Sequence, residues 1–375
     1  MPWKVEPVMS QRKEFVALAQ SEGVSMSELC RRTGISRKTG YKWLARYLED
    51  GDQGLLNLSK RPHQSPNRTS QEIEQLVVDL RREYPTKGGH VLARMLEDRG
   101  CDRVPAKSTI TAILRRHGLI EPSESARHEP YKRFEHEAPN DLWQMDFKGH
   151  IPMSGGGRCH PLTVLDDHSR FSLGVRACRD ERGQTVQDHL TSIFRRYGMP
   201  YAILVDNGSP WGSDLAHPFT SLTVWMIQLG IRVIHSRPYH PQTLGKLERF
   251  HRSLKVELLQ GNIYIDIDDC QISFDSWRDF YNLERPHHAL ELNTPASRYT
   301  ISPRAFPQVL PIIEYDSNDQ VRIVDTNGRI SFMGRTFWVG KAFRGKQVAL
   351  RSTSTDGVWT VFFSIQQIAT LDLNQ

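Results

Sequence analysis

The stretch SRPYHPQTLGKLERFHRSLKVELL, Ser236 to Leu259, decides how the chain is read. A proline-rich loop runs straight into an amphipathic helix. Leu247, Phe250, Leu254 and Leu258 recur at helical spacing, so one stripe is buried. Glu248, Arg252 and Lys255 stand at i, i+4 and i+7 and share a different face. Taken alone, a glutamate one turn from an arginine is an ordinary solvated helix face. Two acids upstream change its meaning.

LWQMDF, Leu142 to Phe147, reads as a strand opening a new domain, with Asp146 near its end and Lys148 and Gly149 following. YAILV, Tyr201 to Val205, is a short apolar run of the buried-strand type that stops at Asp206, Asn207 and Gly208, a turn signal. An acid at the exit of a buried strand, beside a glycine-bearing loop, is well placed to hold a metal. A single one is more often a turn residue whose carboxylate accepts a nearby backbone N–H. With Glu248, the two acids make a set.

The strings LWQMDFKG, VDNGSPWG and HPQTLGKLERFHRSLK, in this order, resemble the three catalytic segments of bacterial insertion-sequence transposases of the DDE type, whose core is similar to retroviral integrase. The resemblance implies an RNase H-like core with Asp146, Asp206 and Glu248 as catalytic residues and metal ligands. It implies Mg²⁺ as cofactor, as two ions, with Mn²⁺ able to substitute. Lys255 matches a basic residue that contacts the transposon end, and Arg252 shares its helix face. The partners implied are double-stranded DNA, both transposon ends and target, and further copies of the chain in a homo-oligomer that pairs two ends on DNA. Two departures stand out. Asp206 and Glu248 lie 42 positions apart, longer than in the best-known relatives, and Leu244 occupies a position that is polar or small in many of them.

The chemistry accounts for the residue set. A phosphodiester is an anion, so its attack needs an activated oxygen and compensation of developing charge, which carboxylates provide by holding divalent cations. Mg²⁺ is a hard ion that takes oxygen ligands. The expected sequence is hydrolysis at the transposon end to leave a 3′-OH, then attack of that 3′-OH on target DNA. Two other functions use part of the same sequence: a DNA-binding regulator derived from an inactive or domesticated copy, and an RNase H-type nuclease that cuts without joining.

A chain of 375 residues with 38% apolar content has room for two to four domains. Its five cysteines are odd in number and lack CxxC spacing, which speaks against a disulfide framework or a zinc finger. The first residues carry no apolar signal core and no run is long enough to span a bilayer, so the expectation is a cytoplasmic, nucleoid-associated protein with no membrane partner. The net charge of +6 favours a polyanionic partner, and five of those six charges lie before residue 140.

Residues 1–57 read as a helix-turn-helix DNA-binding domain. Gln11 to Gln20 is helical in pattern, with Phe15, Leu18 and Ala19 as inward residues. Ser27 can cap a second helix ending near Thr33, Gly34 breaks it, and Ser36 caps a third that runs to about Leu48. Arg37, Lys38, Thr39, Tyr41 and Lys42 occupy the start of that last helix, the end that faces the major groove in such motifs. A linker, 58–69, leads to a second helix-turn-helix-like domain, 70–120, with helices at Ser70 to Tyr84, His90 to Arg99 and Lys107 to His117. A second linker, 121–139, is charged and proline-punctuated.

The α/β core, 140–305, shows strands at His160 to Leu165 and Arg170 to Arg176, then a helix from Gln184 to Tyr197, a helix near Leu222 to Leu229 and a strand at Ile231 to His235. Asp166 and Asp167 rival the three acids as metal ligands, but their place between two close strands reads as a turn. Residues 306–375 are expected to form a small β-barrel, with Thr326, Asn327 and Gly328 as a hairpin turn between its first two strands.

Overall fold

The computed structural model describes residues 8–21, 23–57, 69–120, 135–212, 218–236 and 245–374. Most of both expected linkers and Leu244 lie outside them. The chain divides into two compact units, residues 1–68 and 69–375.

The first unit has helices α1 (Val8–Ala19), α2 (Met26–Thr33) and α3 (Arg37–Asp50), followed by a short 3₁₀ turn, Gly51–Leu55. Gly34 ends α2 in the left-handed region, φ 69°, where a side chain would be strained, and its N–H returns to the helix carbonyls. The Ser36 side chain then accepts the Thr39 N–H at 3.1 Å and starts α3. Gly40 lets α3 sit close: a Cβ there would meet Cys30 Sγ at 2.6 Å. Phe15, Val16, Leu29, Cys30 and Leu55 form the core. Two expectations are corrected. Leu18 is 42% exposed and Val16 takes the inward position, one residue round the helix from the predicted face. The residue at the N-cap of α2 is Ser25 rather than Ser27, so the helix begins half a turn earlier.

The second unit opens with α4 (Gln71–Glu83), α5 (Gly89–Asp98) and α6 (Lys107–Arg116) around Val77, Leu92, Ile110, Ile113 and Leu114. The central sheet holds β1 (Leu142–Phe147), β3 (Arg158–Asp166), β4 (Ser172–Cys178), β5 (Ala202–Val205) and β6 (Arg232–His235), with the two-residue β2 (Ile151–Pro152) beside the start of β3. Strand order is β4-β3-β1-β5-β6, antiparallel through β4-β3-β1 and parallel through β1-β5-β6. One face packs against α7 (Gly183–Tyr197) and α8 (Ser221–Gln228); the other carries α9 (Gly245–Leu254), continued by a π-helical turn Lys255–Leu259, and α10 (Ile267–Leu283).

The end of the chain corrects the barrel expectation. β7 (Gln320–Ile323), β10 (Gln347–Ser352), β11 (Val358–Phe363) and β12 (Gln366–Asp372) form an open four-stranded sheet, while β8 (Arg329–Phe332) and β9 (Arg335–Trp338) pair only with each other. Among the described residues no barrel closes. The Asn327–Gly328 turn exists, held by Asp325 Oδ1 accepting the Asn327 and Arg329 N–H groups at 2.8 Å each. The strands it joins nevertheless pair elsewhere, β7 with β10 and β8 with β9. A local turn signal does not choose the strand's partner.

Candidate active site

β1 and β5 run parallel with Leu142 beside Ala202, Trp143 beside Ile203 and Gln144 beside Leu204. Two further steps of that register bring Asp146 level with Asp206. Side chains alternate along a strand. Trp143, Met145, Ile203 and Val205 point into the core shared with α7 and α8, so Asp146 and Asp206 emerge on the opposite face. Thr163, the cross-strand partner of Asp146, lies on that face too. The same face receives α9, whose Leu247, Phe250 and Leu254 pack on Leu165, Val175 and Phe274.

Both carboxyls are raised. Burial, and then the charge of Asp206, push Asp146 up to about 6. Burial also raises Asp206, against an N–H from Gly208 to its Oδ1 at 3.1 Å. Glu181 adds a smaller like charge to both acids. Among the described residues neither acid sits in an ion pair. Two adjacent, partly buried carboxylates with raised pKa and no paired cation are a donor set that fits a hard divalent cation.

Glu248 is exposed, one turn into the buried stripe of α9, and Arg252 and Lys255 are exposed with it. No group of three His, Cys, Asp or Glu side chains is gathered closely enough to hold an ion among the described residues. The apolar stripe of α9 packs on the acid-bearing face, and Glu248 is not gathered with Asp146 and Asp206 into such a group. In the first unit Arg37, Lys38, Tyr41 and Lys42 are exposed at the start of α3, whereas Thr39 is half-buried and its hydroxyl lies 2.9 Å from Ser36 Oγ within the cap.

Two anchors on either side of Glu248 escaped the sequence reading. Lys246 Nζ donates to Asp167 Oδ2 at 2.5 Å, tying the start of α9 to the β3–β4 turn. His251 is buried, and burial with the nearby Lys148 charge brings it down to about 3, so it is neutral. Thr163 Oγ1 gives its proton to the Asp146 carbonyl at 2.8 Å, which leaves the His251 Nε2–H to donate to Thr163 Oγ1 at 2.7 Å. The helix is thereby bonded to the backbone of Asp146 itself. Position 251 falls four after Leu247, within the inward arc, and that spacing was the available signal. Asp166 and Asp167 are consumed structurally. Asp166 accepts from Asn140 N, Ser169 N and Ser169 Oγ at 2.7, 2.8 and 2.6 Å, and Asp167 also takes Gln144 Nε2 at 2.8 Å.

Five family descriptions match in order along the chain. They are a helix-turn-helix domain at residues 11–63, a homeodomain-like domain at 39–114, an integrase core domain at 136–241 and again at 229–295, and the C-terminal domain of the IS481 family transposases at 319–375. The chain is 26% identical over 159 residues to the insertion element IS407 uncharacterized 31.7 kDa protein of Burkholderia multivorans, covering 42% of this chain and 55% of that one. It is 28% identical over 158 residues to the insertion element IS476 uncharacterized 39.2 kDa protein of Xanthomonas euvesicatoria, covering 42% and 44%. The chain thus spans about half the length of these curated relatives. Protein YlbG of Escherichia coli K12 is 33% identical over 94 residues, 25% of this chain and 76% of its own. Among solved structures, a chain of the simian T-cell lymphotropic virus intasome with the regulatory subunit B56 gamma of PP2A is 16% identical at a TM-score of 0.38, covering 78% of this chain and 97% of its own. The HTLV-2 integrase catalytic core domain in complex with magnesium is 17% identical at 0.33, covering 44% and 99%. Likeness that loose decides nothing about this chain. No helix among the described residues is long and apolar enough to cross a membrane. The ordered matches and the insertion-element relatives support a bacterial insertion-sequence transposase with an integrase-like core.

Proposed function

We propose that this protein cuts the ends of an insertion sequence and joins the resulting 3′-OH ends to target DNA, with Asp146, Asp206 and Glu248 as its catalytic, metal-binding carboxylates. The observation that carries the reading is the level placement of Asp146 and Asp206 on one sheet face, each raised above the usual carboxylate range, beneath the helix that bears Glu248. These three would hold Mg²⁺, as two ions, or Mn²⁺. Such ions activate an oxygen nucleophile and offset charge on the phosphorus centre.

The chain's own residues supply the rest. Asp146 and Asp206 are held rigidly at the ends of paired strands, and Glu248 completes the set from α9. Lys246 and His251 fix the helix on which Glu248 rides. Arg252 and Lys255, exposed on the same helix, hold phosphates of the transposon end beside the acids. Arg37, Lys38, Tyr41 and Lys42 on α3 enter the major groove; Thr39, occupied in the cap, contributes less. Joining two ends in concert calls for a homo-oligomer on DNA.

Strand transfer by the purified protein on short duplexes copied from DNA flanking the gene, with Mg²⁺ or Mn²⁺, tests the reading. Joined products should form and should drop at least about 10³-fold in Asp206→Asn, with end binding retained. Cutting without joining would replace the proposal by a nuclease. Binding with no cutting, from folded protein, would replace it by a regulator.

A further inference from the structure

The far end of the Glu248 helix is buried in an ionic junction with the second helical module. Glu257, in the π-helical turn that continues α9, is 10% exposed at its side chain, and its partner Lys87, from the loop between α4 and α5, is 5% exposed. Lys87 Nζ donates to Glu257 Oε1 at 2.6 Å. Arg285, just after α10, donates to the same oxygen from Nη2 at 3.1 Å and to Ser253 Oγ on α9 at 3.2 Å. Trp277 Nε1 donates to Glu257 Oε2 at 3.3 Å. Around this cluster Tyr84 stacks on Phe280, rings 5.0 Å apart, and Phe280 and Leu292 join the core of α4–α6.

We propose that Lys87, Glu257 and Arg285 form the junction through which residues 69–120 set the position of the Glu248 helix, which makes Lys87 and Glu257 positioning residues for the reaction. This rests on Glu248 being a member of the catalytic set. Adhesion between the module and the core comes from the aromatic and aliphatic contacts. A buried ion pair adds little to that, because desolvation offsets its Coulomb energy, and what it does supply is a single allowed geometry.

The geometry is consequential here. Glu257 lies nine residues, roughly 13 Å along a helix, beyond Glu248. Lys246 and His251 hold the helix at its start and middle, and Glu257 is the third fixed point. The π turn, in which the Gln260 N–H reaches the Lys255 carbonyl at 2.8 Å, marks the place where the helix departs from regular winding. Arg285 and Lys87 hold the Glu257 carboxyl below the usual range against the effect of burial. Burial and Arg285 bring Lys87 down to about 8, so at neutral pH it keeps its proton.

The test is Lys87→Met in the full chain, read in two ways. Hydrogen exchange should speed up at the amides of 245–259 while the β1 and β5 amides stay protected. Strand transfer should lose about tenfold in kcat with the KM for end DNA unchanged, and Lys87→Arg should recover most of it. Should Lys87→Met not fold, Lys87→Gln, which keeps a donor for Glu257 without the charge, carries the same comparison. Unchanged exchange at 245–259 overturns the proposal, as does a loss that falls wholly on KM, which would make Lys87 a DNA contact. If wild-type protein joins no DNA, the catalytic reading fails while the exchange measurement still decides the junction.

Discussion

Two helical modules of similar size, residues 8–57 and 69–120, are built in opposite ways. The first closes on itself. Its core of Phe15, Val16, Leu29, Cys30 and Leu55 lies within residues 1–68, and the basic start of α3 is exposed. The second has a core of its own, Val77 to Leu114, that continues without a break onto Phe280 and Leu292 and places a lysine in the interior against Glu257. A module that is helix-turn-helix-like in pattern can therefore be complete in itself or packed into a larger unit. The apolar and ionic contacts outside its own three helices decide which.

The sharpest break of this contrast is truncation. Removing residues 1–68 should leave residues 69–375 soluble with one cooperative thermal transition. Removing 69–120 from that piece should yield insoluble protein, because Phe280, Leu292 and the Glu257 carboxylate lose their cover. Solubility and circular dichroism of the two pieces check it, and a folded core lacking 69–120 would erase the distinction.

Core cavities give the next largest effect. Leu55 and Ile110 are both fully buried, so Leu55→Ala and Ile110→Ala should each cost about 3 kcal/mol. Calorimetry should show Leu55→Ala lowering a transition of the first unit alone, and Ile110→Ala lowering the transition of the whole second unit. A separate melting event for Ile110→Ala would mean that the docked module is energetically free.

Acid should tell the units apart as well. Burial, with the charge of Lys148 on His251 and of Arg285 on His287, takes these histidines from 6.5 down to about 3 and about 2. The unfolded chain binds their protons near pH 6.5 and the fold does not, so stability is full above that pH and falls as pH drops below it. Between pH 7 and 5.5 each should cost roughly 1 kcal/mol, and His251→Gln should remove its share. The first unit, whose one histidine is His63, should hardly change. Urea titrations at the two pH values measure this.

The smallest effect concerns caps. Ser36→Ala should destabilise the first unit by about 1 kcal/mol and leave the second unmoved, whereas Ser27→Ala, which removes no cap, should do neither.

The strand ends near Asp146 and Asp206 were legible because LWQMDF is followed by Lys148 and Gly149 and YAILV stops abruptly at Asp206, Asn207 and Gly208, a signal contained in a few neighbouring residues. The stripe of α9 was legible for the same reason. Lys246 and His251 were not, since a polar residue on a buried arc declares its partner only once Asp167 and Thr163 have been brought to it from 79 and 88 positions away. The barrel expectation failed on the same distinction: the Asn327–Gly328 turn is local, but β7 finds its neighbour in β10 across the intervening hairpin.

Periodicity, turn residues and motif order in the sequence thus determined where the main apolar stripes and strand ends fall and which three acids are candidates, because those depend on short-range geometry. Tertiary structure alone decided that Asp146 and Asp206 come level on one face, that α9 is pinned at Lys246, His251 and Glu257, and that residues 69–120 are built into the same compact unit as the central sheet. These depend on burial and on pairings between distant residues, and a buried charge takes whichever partner the packing brings to it.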